Sequence, residues 1–184
     1  MGIGVDEEFD RQVETLRRLG YPVLAGVSED AFVELLEPLR TVVRERWGTW
    51  AAVEVTPSRV PFLLVVGPSV VRAEDVVPLM ALAGRSDPGI VDRNHDGELA
   101  AFTPIKEVEL PDAAAYVLFD VERGEEFGGV RPEEALPVIL DRGRTPITIH
   151  EGIALVTQVP EALEKNRCFM LSASRRGDRR VPAV

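Results

Sequence analysis

The sequence predicts an α+β fold: a single domain with a small β-sheet and an N-terminal helical pair. Three observations carry this. Two stretches before residue 48 repeat apolar residues at helical spacing. The apolar runs Val60–Val66 and Ala114–Val121 are rich in β-formers. Helices and strands then follow one another without the regular βαβ alternation of a doubly wound sheet. The N-terminal helical segment is read as residues 1–48 and the α+β domain as 49–184, together one structural unit.

Asp6 to Leu19 places Phe9, Val13 and Leu16 on one helical face, and Gly20 and Pro22 stop it. Ser28 suits the N-cap of a second helix reaching Trp47. Its stripe is Phe32, Leu35, Leu36, Leu39, Val42 and Val43, with Pro38 inside the pattern. Stripes this long in a chain this size suggest association with a second copy or another partner. Strands are expected at Ala51–Val55 and Val60–Val66, split by the turn Thr56-Pro57-Ser58. Asp75–Leu82 is ambiguous, because Pro78 interrupts a helix start. Pro132 suits the first position of a helix ending near Asp141, and Gly143 suits its C-terminal cap. Thr148 and Glu151 have capping-box spacing for a helix ending before Pro160. A short helix at Glu161–Asn166 and a strand at Cys168–Leu171 complete the reading.

Charge narrows the function classes. The chain has 184 residues, a net charge of -10 and a pI near 4.8, which argues against nucleic-acid binding. The charge is uneven. Residues 131–184 carry 9 basic and 7 acidic side chains, and Lys165–Arg180 alone carries six basic residues and one acid. Apart from Lys106 and Lys165 the basic residues are all arginine, which suits carboxylate and phosphate; a GC-rich coding bias gives the same composition. The longest apolar run, near Val60–Val66, is too short to span a bilayer. Nothing marks secretion, and Cys168 is the only cysteine, so the chain reads as cytoplasmic, without membrane attachment or disulfide.

Candidate chemistry gathers near the C-terminus. Arg144, Arg175, Arg176, Arg179 and Arg180 are candidate anion ligands, the last four flanking the turn Gly177-Asp178. The alternative is a solvated tail whose arginines pair with acids of the N-terminal half. His150 and Glu151 sit in the first turn after Thr148, where free N–H groups favour anions. With Asp178 they are candidate acid/base groups. Otherwise Glu151 caps the helix and His150 is exposed or packed. Cys168, beside Phe169 and Met170, reads as a buried thiol before a nucleophile.

Asp92-Arg93-Asn94-His95-Asp96-Gly97-Glu98 opens like a calcium loop, but Thr103 stands at the closing position, so a polar turn and no metal are expected. Phosphate-loop, dinucleotide, zinc-peptidase and nucleophile-elbow signatures are missing, and no cofactor is expected. The leading function is an enzyme or binder acting on a small anionic molecule, by hydrolysis or displacement of an anionic group without redox chemistry. The competing class is a noncatalytic interaction or oligomerising module.

The strings Arg144-Thr145-Pro146-Ile147-Thr148-Ile149-His150-Glu151-Gly152-Ile153-Ala154-Leu155 and Ser174-Arg175-Arg176-Gly177-Asp178-Arg179-Arg180-Val181-Pro182-Ala183 resemble an actinobacterial family of unknown function. Phe102-Thr103-Pro104-Ile105, Pro111, Tyr116 and Pro132-Glu133-Glu134-Ala135-Leu136 fit its layout. The resemblance covers roughly Phe102 to Ala183, and more loosely the helical half. That family carries an acidic residue where this chain has His150, and often continues into a tryptophan-rich tail. It implies no reaction and assigns no catalytic residue.

Overall fold

A computed structural model of the chain describes residues 4–50, 55–90, 99–164, 168–178 and 180–184, excluding the Trp50 side chain. Helices α1 (Val5–Arg18), α2 (Tyr21–Leu24) and α3 (Glu29–Trp50) come first. Strand β1 (Arg59–Val66) and the single turn α4 (Ala73–Val76) follow. Then come β2 (Thr103–Pro104), β3 (Ala115–Glu122), α5 (Pro132–Asp141), α6 (Ile149–Gln158) and β4 (Ser174–Arg175). Strands β1 and β3 form one antiparallel pair, and β2 and β4 form another. The molecule is thus α+β, with its N-terminal helices packed on a small sheet.

Apolar periodicity explains the packing. Phe9, Val13 and Leu16 of α1 are buried, as are Phe32, Leu36 and Val43 of α3. They meet Phe62, Leu64 and Val66 of β1 in one cluster that also takes Ile153 of α6 and Leu171. Trp47 of α3 meets Phe62 edge-on at 6.1 Å between ring centroids. Residues from both sides of position 48 therefore share one core. The stripe of α3 is largely used inside its own domain, with Leu39 packed against the cluster and Val42 on the outside. One domain thus covers most of both N-terminal stripes, leaving Val42 41% exposed.

The pleat changes phase within the sheet. Phe62 and Leu64 face the first cluster, whereas Leu63 and Val65 join a second with Tyr116, Leu155 and Val159. Strict alternation would put Val60 with Phe62, yet Val60 and Val121 both lie in the second cluster. Between them, Pro61 lacks an N–H and Asp120 has a positive φ of 53°. A left-handed residue at this step rotates the strand and exchanges the faces beyond it.

The free edge of β1 is closed by a side chain. The Gln12 amide donates to the Phe62 carbonyl at 3.0 Å and its oxygen accepts from the Leu64 N–H at 2.9 Å. Gln12 thus mimics a strand residue, and it is fully buried. Glu8, also fully buried, accepts from Gln12 at 2.8 Å and from Arg11 at 2.7 Å. Gln158 of α6 donates to the Gln12 carbonyl at 3.0 Å, tying α1 to α6.

Some expected elements differ. Of the helix expected at Glu161–Asn166, the described part is a 3₁₀ turn at Pro160–Ala162, because Pro160 starts the turn and Leu163 is already extended, and residues 165–166 lie outside the described residues. Cys168–Leu171 is no sheet strand. It pairs with the chain end through a Met170–Ala183 bridge, with Phe169 and Val184 exchanging two hydrogen bonds. Residues 51–54 of the expected first strand, and the Asp92–Glu98 loop with His95, lie outside the described residues.

Two substitutions test this packing. Gln12→Leu keeps the volume but strands a buried carbonyl and N–H. It should cost at least about 2 kcal/mol in urea unfolding. Gly152→Ala should also destabilise, by about 1–3 kcal/mol. An added Cβ would lie 2.0 Å from Leu171 Cδ2. Helix propensity alone favours alanine by about 1 kcal/mol, so the sign of the change is the test.

Candidate functional site

Three environments hold the residues singled out in the sequence. At the start of α6, Thr148 is the N-cap and forms a capping box with Glu151. The Thr148 N–H donates to Glu151 Oε2 at 2.6 Å, and the Tyr116 hydroxyl donates to Oε1 at 3.2 Å. Burial pushes the Glu151 carboxyl above its usual range, with the Thr148 and Tyr116 hydrogen bonds opposing. Burial and then the Glu151 charge push Tyr116 up as well. Ser174 Oγ accepts the Ile149 N–H at 3.0 Å. Side chains of the protein thus take up N–H groups that an anion would use.

His150 turns the other way. It lines a small void of about 10 Å³ with Leu16, Tyr21, Val71 and Ile153. Among the described residues its buried Nε2 has no hydrogen-bond partner. Burial holds its pKa below the ordinary 6.5, against the opposing pull of the Glu74 charge. His150 and Glu151 are adjacent in sequence yet have separate contact sets.

The arginines are dispersed. Arg180 pairs with Asp178 across the turn, at 2.7 Å from Nε to Oδ2. This hydrogen bond holds the Asp178 carboxyl low. Arg176 is also engaged. Arg179 lies outside the described residues. Arg175 is half-buried and donates to the carbonyls of Ser172 at 2.7 Å and Ser174 at 2.9 Å. Among the described residues no carboxylate lies within ion-pair distance of it, and desolvation lowers its pKa.

Arg144 belongs to a constellation that sequence reading did not assemble. It binds Asp120 Oδ2 at 2.7 Å and also the Asp120 carbonyl. Arg59 binds Oδ1 of the same carboxylate from the other side, at 2.6 Å. Glu122 lies within 3.3 Å of Arg59 and 3.6 Å of Arg144. Burial by itself pushes the Asp120 carboxyl up, but the two arginines outweigh it and hold it low. The available signal was an aspartate interrupting the apolar run of Ala115–Val121.

This constellation borders a cleft of about 840 Å³. Its walls are the end of β3, the loop from Gly124 to Val130, one face of α5, residues 142–147 and residues 168–172. Phe119, Ile139, Ile147 and Phe169 give it an apolar lining. Cys168 is exposed there, correcting the expectation of a buried thiol, because the chain at this point runs along the cleft instead of through the core. Arg142, at the C-cap of α5, reaches Glu126 at 2.6 Å and lies 5.4 Å from the Phe127 ring centroid.

Removing the carboxylate in Asp120→Ala leaves two arginines without their partner and should cost about 2 kcal/mol at neutral pH. The Asp120 pKa is depressed on folding, so its contribution is present above pH 3.8 and is lost as pH falls through the folded value. Asp120→Asn should therefore flatten the acid limb of a stability-against-pH curve. The His150 pKa is also depressed, so the unfolded chain binds more protons as pH falls below 6.5. His150→Gln should reduce the stability lost on descending from pH 6.5, read by thermal melts in a buffer series.

No described helix is long and apolar enough to cross a membrane. No curated protein and no solved structure matches the chain. One family model does, over residues 15–184, which include the capped α6, the Asp120 constellation and the cleft walls. The chain therefore belongs to this family of unknown function, DUF5701.

Proposed function

We propose that this protein binds a small anionic organic molecule in the cleft between the end of β3, α5 and residues 168–172. The observation that carries the reading is the cleft itself: about 840 Å³, apolar-lined, with four arginines among the charged residues on its walls and four carboxylates beside them. That volume suits a small ligand, and a few polar groups on apolar walls are how such sites select one. Arg144 and Arg142 stand on its wall. Arg175 adds charge behind Ser172, which lines the cleft. The proposal is binding, in a cytoplasmic setting. His150, Glu151 and Asp178 receive no chemical step in it, since an apolar pocket, a helix cap and a surface turn are their respective, separate surroundings.

Exposure of Val23 at 81%, with Val27 at 44% beside it, supports a second reading, contact with another polypeptide through α2. Light scattering of the protein and of Val23→Asp tests it; a concentration-independent monomer counts against self-association.

The exposed Cys168, the sole cysteine, serves as a reporter for the cleft. A panel of organic anions is scored by the rate of Cys168 alkylation and by thermal stabilisation. A ligand of the cleft should slow alkylation and raise the melting temperature together. If every anion leaves both unchanged, the binding proposal fails.

A further inference from the structure

We infer that the cleft selects a singly charged amphipathic carboxylate, whose head group displaces Glu126 from Arg142. This rests on the reading of the cleft as a small-molecule site and names its ligand class.

Charge balance sets the class. The lining carries four arginines and four carboxylates, so its net field is close to neutral. A dianion such as phosphate gains little from such a field, whereas one carboxylate can exchange for another. Apolar surface sets the rest. Phe119, Ile139, Ile147 and Phe169 line the interior, and Val130 and Met170, about 40% exposed each, extend the apolar surface. A hydrocarbon or aromatic body would remove this surface from water.

Partner strength singles out Arg142. Arg144 is committed to buried Asp120 through both a side-chain oxygen and the carbonyl. Arg123 is itself buried and pairs with Glu164. Arg131 pairs with Glu133 and Glu134 beside it at the start of α5. Arg131 is more exposed still, at 72%, but two carboxylates hold it, whereas among the described residues Arg142 has the single ion-pair partner Glu126, and both are about half exposed, 51% and 47%. An ion pair in water is weak and easily exchanged. Glu126 also sits in a short turn bounded by Gly124 and Gly129, both at positive φ. Such glycines let the turn move without strain when Glu126 lets go. Phe127 beneath the guanidinium keeps Arg142 oriented over the cleft.

The test uses octanoate, octanol and inorganic phosphate as probes on the full chain, with affinity read from Cys168 protection and calorimetry. Octanoate should bind more tightly than octanol and phosphate. Glu126→Gln removes the competing carboxylate and should tighten octanoate by about two- to fivefold, the equivalent of one exposed ion pair. Arg142→Gln should weaken it by about tenfold or more, leaving octanol unchanged. If Arg142→Gln fails to melt cooperatively, the gain in Glu126→Gln decides alone. Phosphate binding better than octanoate, equal affinity for octanol, or no gain in Glu126→Gln overturns the inference while the cleft reading stands. Failure of every anion overturns both.

Discussion

The structure depends on the buried amide of Gln12 against the edge of β1. A two-stranded sheet is marginal alone, and its second edge must be hidden from other chains. Here one side chain supplies the missing donor and acceptor, and Glu8, Arg11 and Gln158 hold it in place. The arrangement couples α1, β1 and α6 through hydrogen bonds that have no water to replace them. The position of α6 follows, and with it Thr148, Ile147 and the strand at Ser174 that leans on the start of α6. The wall of the cleft is therefore set by a contact at the opposite end of the chain.

The second constraint is the step at Asp120. A non-glycine residue at positive φ costs energy and persists only where its surroundings hold it. Arg59 and Arg144 do so, each taking one oxygen of the carboxylate. The turn of the backbone moves Val121 to the other face and leads the chain out of the sheet into the Gly124 loop. Strain, charge pairing and the cleft border thus coincide at one residue. Arg144 is mainly a holder of this corner, which leaves Arg142 as the more exchangeable cation nearby.

Much of the framework was legible from local rules. Phe9, Val13 and Leu16 recur at helical spacing and fill the core as that spacing implies. Pro132 starts α5, Gly143 takes positive φ just beyond its end, and Thr148 and Glu151 close a capping box. Each is a statement about neighbours within four residues, so sequence order suffices. The candidate site was less legible. The basic string Arg175–Arg180 reads as one patch, yet Arg175 turns to backbone carbonyls and Arg180 to Asp178. Direction, not composition, separates them.

The sequence by itself determined the class of the fold, the helix ends and the faces that must be buried. These follow from periodicity, backbone restriction at proline and glycine, and short-range capping. Tertiary structure alone decided that Gln12 would complete a strand edge and that His150 would turn into an apolar pocket. It likewise decided that Arg59, 61 residues from Asp120, would meet Arg144 on one carboxylate. Those contacts join residues far apart in the chain, and they arise only once packing has set which polar groups lose their water. A buried amide, an aspartate between two guanidiniums and a cleft beside them are consequences of that shared burial, which no local pattern encodes.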